Sequence, residues 1–202
     1  MSFADKSRHL YIWELAGLIA LCAVMLSGLW AEGRQASIAG SLVRLHVLAV
    51  SDAPEEQAVK LRVRDAVLAY LAPRLKNAED AAGAGAVLQS ALDGIRTAAE
   101  AAAEGRTVHV TLGEERYPTR DYGGFSLPAG RYRSLRVVLG EGKGRNWWCV
   151  VFPPLCLAAA EKETMQPVMN PVDYALITRE EGWEIRFRIV ELWGKLLNSL
   201  EF

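Results

Sequence analysis

VRLHVLAVSDAPEEQAVKLRVRDAVL, residues 43–68, changes its period part-way, and that change decides the fold class. From Leu42 to Val50 the chain is apolar and β-branched, the pattern of a strand buried on both faces, with Arg44 and His46 interrupting one of them. A lone histidine in such a strand reads first as a satisfied core residue. Ser51 to Pro54 is then a strand-to-helix junction. Asp52 can cap, Glu55 stands three residues on, and Pro54 suits a first turn where a missing N–H costs nothing. The helix runs to about Leu75. Val59, Val63, Ala66, Val67 and Tyr70 make one apolar stripe, and Leu61, Leu68 and Leu75 an opposite one. Both faces are therefore expected to be covered, by two layers of the domain or by one layer and a partner.

Downstream, NAEDAAGAGA (77–86) is a polar, glycine-bearing break, and a second helix is expected over roughly 84–104, stopped by Gly105. The period then falls to two. Val108, Val110 and Leu112 alternate with Thr107, His109 and Thr111, and Leu135, Val137 and Leu139 repeat the pattern before the turn at 141–144. NWWCVVF (146–152) is apolar on both faces and ends at Pro153-Pro154, which cannot donate to a ladder. The expected fold is α+β, with a mixed or antiparallel sheet of about four strands packed with several helices. Between the first two period-two strands lies EERYPTRDYGGFSLPAG (114–130), long for a hairpin connection. Its Tyr117, Arg120, Tyr122 and Phe125 are of the types that dominate interface energetics, and they are the candidate partner-binding residues. The competing reading folds these aromatics back onto the core. Further on, PPLCLAAAEKE (153–163) reads as a short helix and the proline-punctuated 165–183 as loop; from Trp183, Ile185, Phe187 and Ile189 alternate like a strand, but helical spacing from Ile185 through Ile189, Leu192, Leu196 and Leu200 lasts longer and predicts a helix.

At the other end, LAGLIALCAVMLSGLWA (15–31) is seventeen residues without a charge, with Lys6, Arg8 and His9 before it and Glu32 after it. As a helix it spans roughly 25 Å, marginal for a bilayer core, and the flanking charges favour an N-in, C-out orientation. It reads as an uncleaved anchor or a signal peptide, with Ser37-Ile38-Ala39 in small-x-small form. The chain divides into a cytoplasmic segment 1–14, the signal or anchor 15–31, a linker 32–41 and an exported domain 42–202. Exported thiols oxidise, and Cys149 and Cys156 can meet across the Pro-Pro turn; the alternative is two reduced, buried cysteines.

Net charge is −1, which excludes a broad basic nucleic-acid footprint. No G-x-S-x-G, H-E-x-x-H, C-x-x-C or phosphate loop is present, and His46 and His109 lack a metal-pair spacing. In the nearest catalytic grouping, His46 with Ser51 and Asp52, His46 and Ser51 fall on opposite faces of a regular strand and cannot meet as base and nucleophile. No catalytic residue, metal, cofactor, small-molecule substrate or nucleic-acid partner is expected, and the chain reads as a non-enzyme. An exported enzyme acting on septal wall or thiols is the alternative.

Three strings together resemble one family: residues 43–68, YPTRDYGGFSLPAGRYRSLRVVLGEGKGRNWWCVVFPPLC (117–156) and RFRIVELW (186–193) look like stage II sporulation protein R. The resemblance implies a signalling protein exported from the forespore into the space between two membranes. There it would activate a membrane-bound aspartic protease of the mother cell that processes the precursor of sigma factor E. It implies no contact residues.

Overall fold

Interior position in a sheet explains why the 43–48 stretch is apolar on both faces. The computed structural model describes residues 3–122, 124–154, 156 and 167–178. Its elements are α1 (Phe3–Gly40), β1 (Val43–Leu48), α2 (Pro54–Leu75), α3 (Ala81–Ser90), α4 (Leu92–Ala102), β2 (Val108–Tyr117), β3 (Arg120–Asp121), β4 (Ser126–Leu127), β5 (Gly130–Leu139), β6 (Asn146–Phe152) and α5 (Pro171–Ile177). Four strands form one sheet in the order β2-β5-β1-β6. β1 runs parallel to β5 and antiparallel to β6, and β2 is antiparallel to β5. The fold is α+β with a mixed sheet, as expected. A parallel pair needs a long crossover, and α2 to α4 with β2 supply it.

Strand alternation divides the sheet into two unlike faces. Leu45, Val47, Leu135, Val137, Leu139, Cys149 and Val151 join Val59, Val63, Leu71, Leu88 and Ile95 of the helices in the main core. The opposite face carries Arg44, His46, Tyr132, Ser134 and Tyr117, and a second core forms there from Ile38, Leu42, Phe125, Leu127, Val150 and Ile177 with the tyrosines.

Several expectations are corrected. The two stripes of α2 are the margins of one buried arc. At 100° per residue, Val59, Val63, Val67, Lys60, Leu71, Leu75 and Leu68 occupy about half the circumference in that order, while Arg62, Asp65 and Ala69 face solvent. Asp52 does not cap α2. Ala53 occupies the cap position, and the Asp52 carboxylate instead accepts from the Arg145 amide at 2.7 Å, tying the β5–β6 turn to the β1–α2 junction. The helix expected over 84–104 is two, α3 and α4, parted at Ala91. Asp80 caps α3 through the Gly83 amide, and Gly94 of α4 lies directly under the Tyr70 hydroxyl, where a β-carbon would not fit. The bend lets Leu88 and Ile95 both reach the core.

The region 165–183 is not all loop. Asn170 accepts from the Asp173 amide at 2.9 Å and starts α5, with Pro171 in its first turn. Of the helix expected over 153–163 only Pro153, Pro154 and Cys156 are described, and they form the turn after β6; the helix expected from Trp183 lies outside the described residues. The linker read over 32–41 is likewise helical to Gly40, because its apolar residues have a place to go. Ala31 and Ile38 are buried, and Arg34 Nη1 donates to the fully buried Asp173 carboxylate at 3.2 Å, where the Ser37 hydroxyl also donates. Between Tyr11 and Leu26 the side chains are exposed, and α1 is long and apolar enough to cross a membrane.

Cys149 and Cys156 are joined, with Cα atoms 5.7 Å apart, across the turn that contains the cis Phe152–Pro153 peptide. The closed loop is short, so the chain-entropy contribution is about 2 kcal/mol. Replacing both cysteines by serine is expected to lower the midpoint of thermal unfolding by roughly 4–8 °C, read by circular dichroism. No change would mean that the bridge constrains nothing in the unfolded chain.

Candidate functional site

The second face of the sheet is where the chain departs from an ordinary core, and Arg44 is its centre. Alternation along β1 places Arg44 and His46 on the same side, opposite Ser134 and Arg136 of β5 and Val150 and Trp148 of β6. Arg44 is 0% exposed. Its guanidinium carbon lies 3.9 Å from the Tyr117 ring centroid, 5.0 Å from that of Tyr132 and 5.8 Å from that of Tyr122. Nη2 donates to the Tyr122 hydroxyl, whereas Nε and Nη1 are buried without a hydrogen-bond partner among the described residues. Each cation–ring contact contributes on the order of 1 kcal/mol, which offsets only part of the cost of desolvating a guanidinium. Among the described residues no carboxylate pairs with it.

Beside this cage runs a hydrogen-bonded chain. His46 is 2.7 Å from Glu115 through Nδ1 and 2.9 Å from Asn146 Oδ1 through Nε2. The Ser134 hydroxyl donates to the other Glu115 oxygen at 3.0 Å and lies 2.6 Å from the Tyr117 hydroxyl. Arg136 approaches Glu115 at 3.8 Å. His46 packs against Trp148 with centroids 5.5 Å apart, and Arg120 lies over the same indole at 3.9 Å. Burial pushes the Tyr117, Tyr122 and Tyr132 phenols above their usual range, so all three stay neutral and polarisable around the cation.

Burial also raises the Glu115 carboxyl, but the His46 hydrogen bond and charge, the Ser134 hydroxyl and Arg136 outweigh it and leave it below the ordinary 4.5. A depressed carboxyl stabilises the fold above its unfolded value, and this contribution is lost as pH falls through the folded one. Stability is therefore expected to drop below about pH 4.5, and Glu115→Gln should flatten part of that drop. Urea midpoints of the two chains between about pH 6 and about pH 3 make the comparison; parallel curves would contradict it.

As chemistry, this arrangement orders groups rather than activating one. Ser134 faces a carboxylate and a phenol, not the imidazole, and Ser51 and Asp52 lie with the α2 junction away from His46. Cys149 is bridged, and among the described residues no cluster of histidine, cysteine and carboxylates has metal-holding geometry.

Of the candidate partner-binding residues, Tyr117 and Phe125 are buried and Tyr122 is half-buried, stacked on Phe125 at 5.0 Å, while Arg120 is exposed. The reading in which the loop aromatics fold back onto the core is the one the structure adopts, and only Arg120 of the four is offered to solvent as it stands. The reason is that Arg44 needs covering and the two-residue β3–β4 hairpin is too short to carry Phe125 and Leu127 outward. Tyr132, Trp148 and Glu115 carry no mark of the site in the sequence, and Arg44 is marked only as an interruption of one strand face. Arg44 and His46 two apart in an otherwise apolar interior strand were the available signal.

The model of the family described as stage II sporulation protein R matches residues 39–162, which contain the sheet, the cage and the disulfide. This chain belongs to the stage II sporulation protein R family. Stage II sporulation protein R of Bacillus subtilis (strain 168) is 30% identical to it over 186 residues, covering 79% of this chain and 83% of that protein. No solved structure matches the chain. Membership gives it a sporulation-related role, and α1 is compatible with membrane association or secretion.

Proposed function

We propose that the chain is an intercompartmental signal of sporulation. It is exported from the forespore, tethered by α1 or released, and activates a membrane-bound aspartic protease of the mother cell that processes the precursor of sigma factor E. The observation that carries this reading is the family match over residues 39–162. The apolar helix within Tyr11–Gly40 supports export, and a bridged Cys149–Cys156 pair suits an oxidising compartment. On this reading the catalytic aspartates belong to the partner, and the chain itself turns over nothing. A ligand of this kind works only by binding the active state of the protease better than the inactive one, since equal affinity shifts no population.

The test is co-expression of the full chain with the membrane-bound protease and its precursor substrate, with cleavage scored by the size of the precursor. Cleavage should need all three. Cleavage without the chain, or none with it present and folded, would remove the reading.

A further inference from the structure

Arg44 is a fully buried cation in the second core whose hydrogen-bonding capacity is mostly unused there. A guanidinium has five N–H groups in a planar fork suited to a carboxylate. Among the described residues the Nε–H and both Nη1–H groups have no acceptor, although the residue is fully buried. An isosteric apolar side chain would fill the same space without that penalty. Three tyrosine rings surround the cation, and of these Tyr117 and Tyr132 are buried. Tyr122 alone of the three is half-exposed, and its hydroxyl is the one acceptor Arg44 has among the described residues. It therefore stands between the guanidinium and solvent. Its ring is held in place by stacking on Phe125 and by its amide donating to the Phe125 carbonyl at 2.9 Å. Beside it, Arg120 over the Trp148 indole adds a second, exposed cation.

We propose that Arg44 is a latent carboxylate site, closed by Tyr122, which receives an acidic side chain of the partner protein when Tyr122 swings outward. The carboxylate takes the fork positions now left open, the rings of Tyr117 and Tyr132 exclude water from the pair, and Arg120 meets the acidic segment at the rim. A partner whose docking segment carries Asp or Glu is selected, because a neutral segment would leave the opened guanidinium unpaired. The inference rests on the docking reading above, but its test contains no protease, so the two fail separately.

The full chain in detergent micelles is titrated with succinate at constant ionic strength, balanced with chloride, and unfolding midpoints are recorded. Succinate should raise the midpoint of the unaltered chain. Arg44→Met, which keeps the volume and removes the charge, should weaken that response at least about tenfold in apparent affinity. Tyr122→Phe, which keeps the ring and removes the competing hydroxyl, should strengthen it about tenfold. A response no larger than that to chloride, an equal response in Arg44→Met, or a larger response to inorganic phosphate would overturn the assignment. Should Arg44→Met fail to fold, an unchanged affinity in Tyr122→Phe overturns it on its own.

Discussion

Phe125→Ala is expected to destabilise the domain by about 3–5 kcal/mol, the range for removing a fully buried phenylalanine. The ring is 0% exposed, stacks on Tyr122 with centroids 5.0 Å apart, and its residue bridges Thr178 at the start of the C-terminal part. Truncation leaves a cavity that neither the two-residue hairpin nor the sheet beneath can close. It also releases Tyr122, so Arg44 loses its cover together with its one acceptor. The measurement is the urea midpoint, compared with that of Tyr122→Ala, whose half-exposed ring should cost less. A loss below about 1 kcal/mol for Phe125→Ala would place the ring on the surface and restore it as a partner contact.

The second large effect comes from residues 32–40, the last turns of α1. A chain beginning at Ser41 should be less stable than one beginning at Glu32 by on the order of 5 kcal/mol. The shorter chain loses the Ile38 side chain, 3% exposed, from the second core. It also strips the buried Asp173 carboxylate of Arg34 and Ser37, leaving Asn170. Breaking a buried pair from one side leaves an uncompensated charge, and that dominates the sum. Thermal unfolding of the two chains gives the difference. Asp173→Asn supplies the control: it should recover part of the loss in the shorter chain and destabilise the longer one. Equal midpoints would show that residues 32–40 contribute nothing to folding.

The architecture was legible wherever one residue's neighbours along the chain determine its face. Val108, Val110 and Leu112 alternate because β2 lies on helices with one side only, and Leu42 to Val50 is apolar throughout because β1 has strands on both flanks and cores on both faces. Legibility stopped where a distant residue decides. The arc of α2 looked like two stripes because its middle holds Lys60, which is buried through its bonds to Gln57 and the Arg145 carbonyl. Nothing near Ala91 in the sequence announces the bend between α3 and α4. The site was half-visible for the same reason. Arg44 and His46 showed that one face of β1 is unlike the other. The tyrosines that enclose Arg44 come from positions 117, 122 and 132, which the sheet register and the hairpin bring together.

Helix α1 has no break between Phe3 and Gly40, and its last turns are fixed to Asp173 and to the β5 backbone through Gln35. The bearing of the domain about the axis of its apolar stem is thereby set by helical phase. Adding one residue between Ser27 and Ala31 would turn the whole sheet by about 100° and raise it by about 1.5 Å, whereas adding seven would restore the bearing to within roughly 20° at a greater height. On the proposed signalling role, a receptor anchored in a facing membrane would read the first change as a rotation and the second as a change in reach.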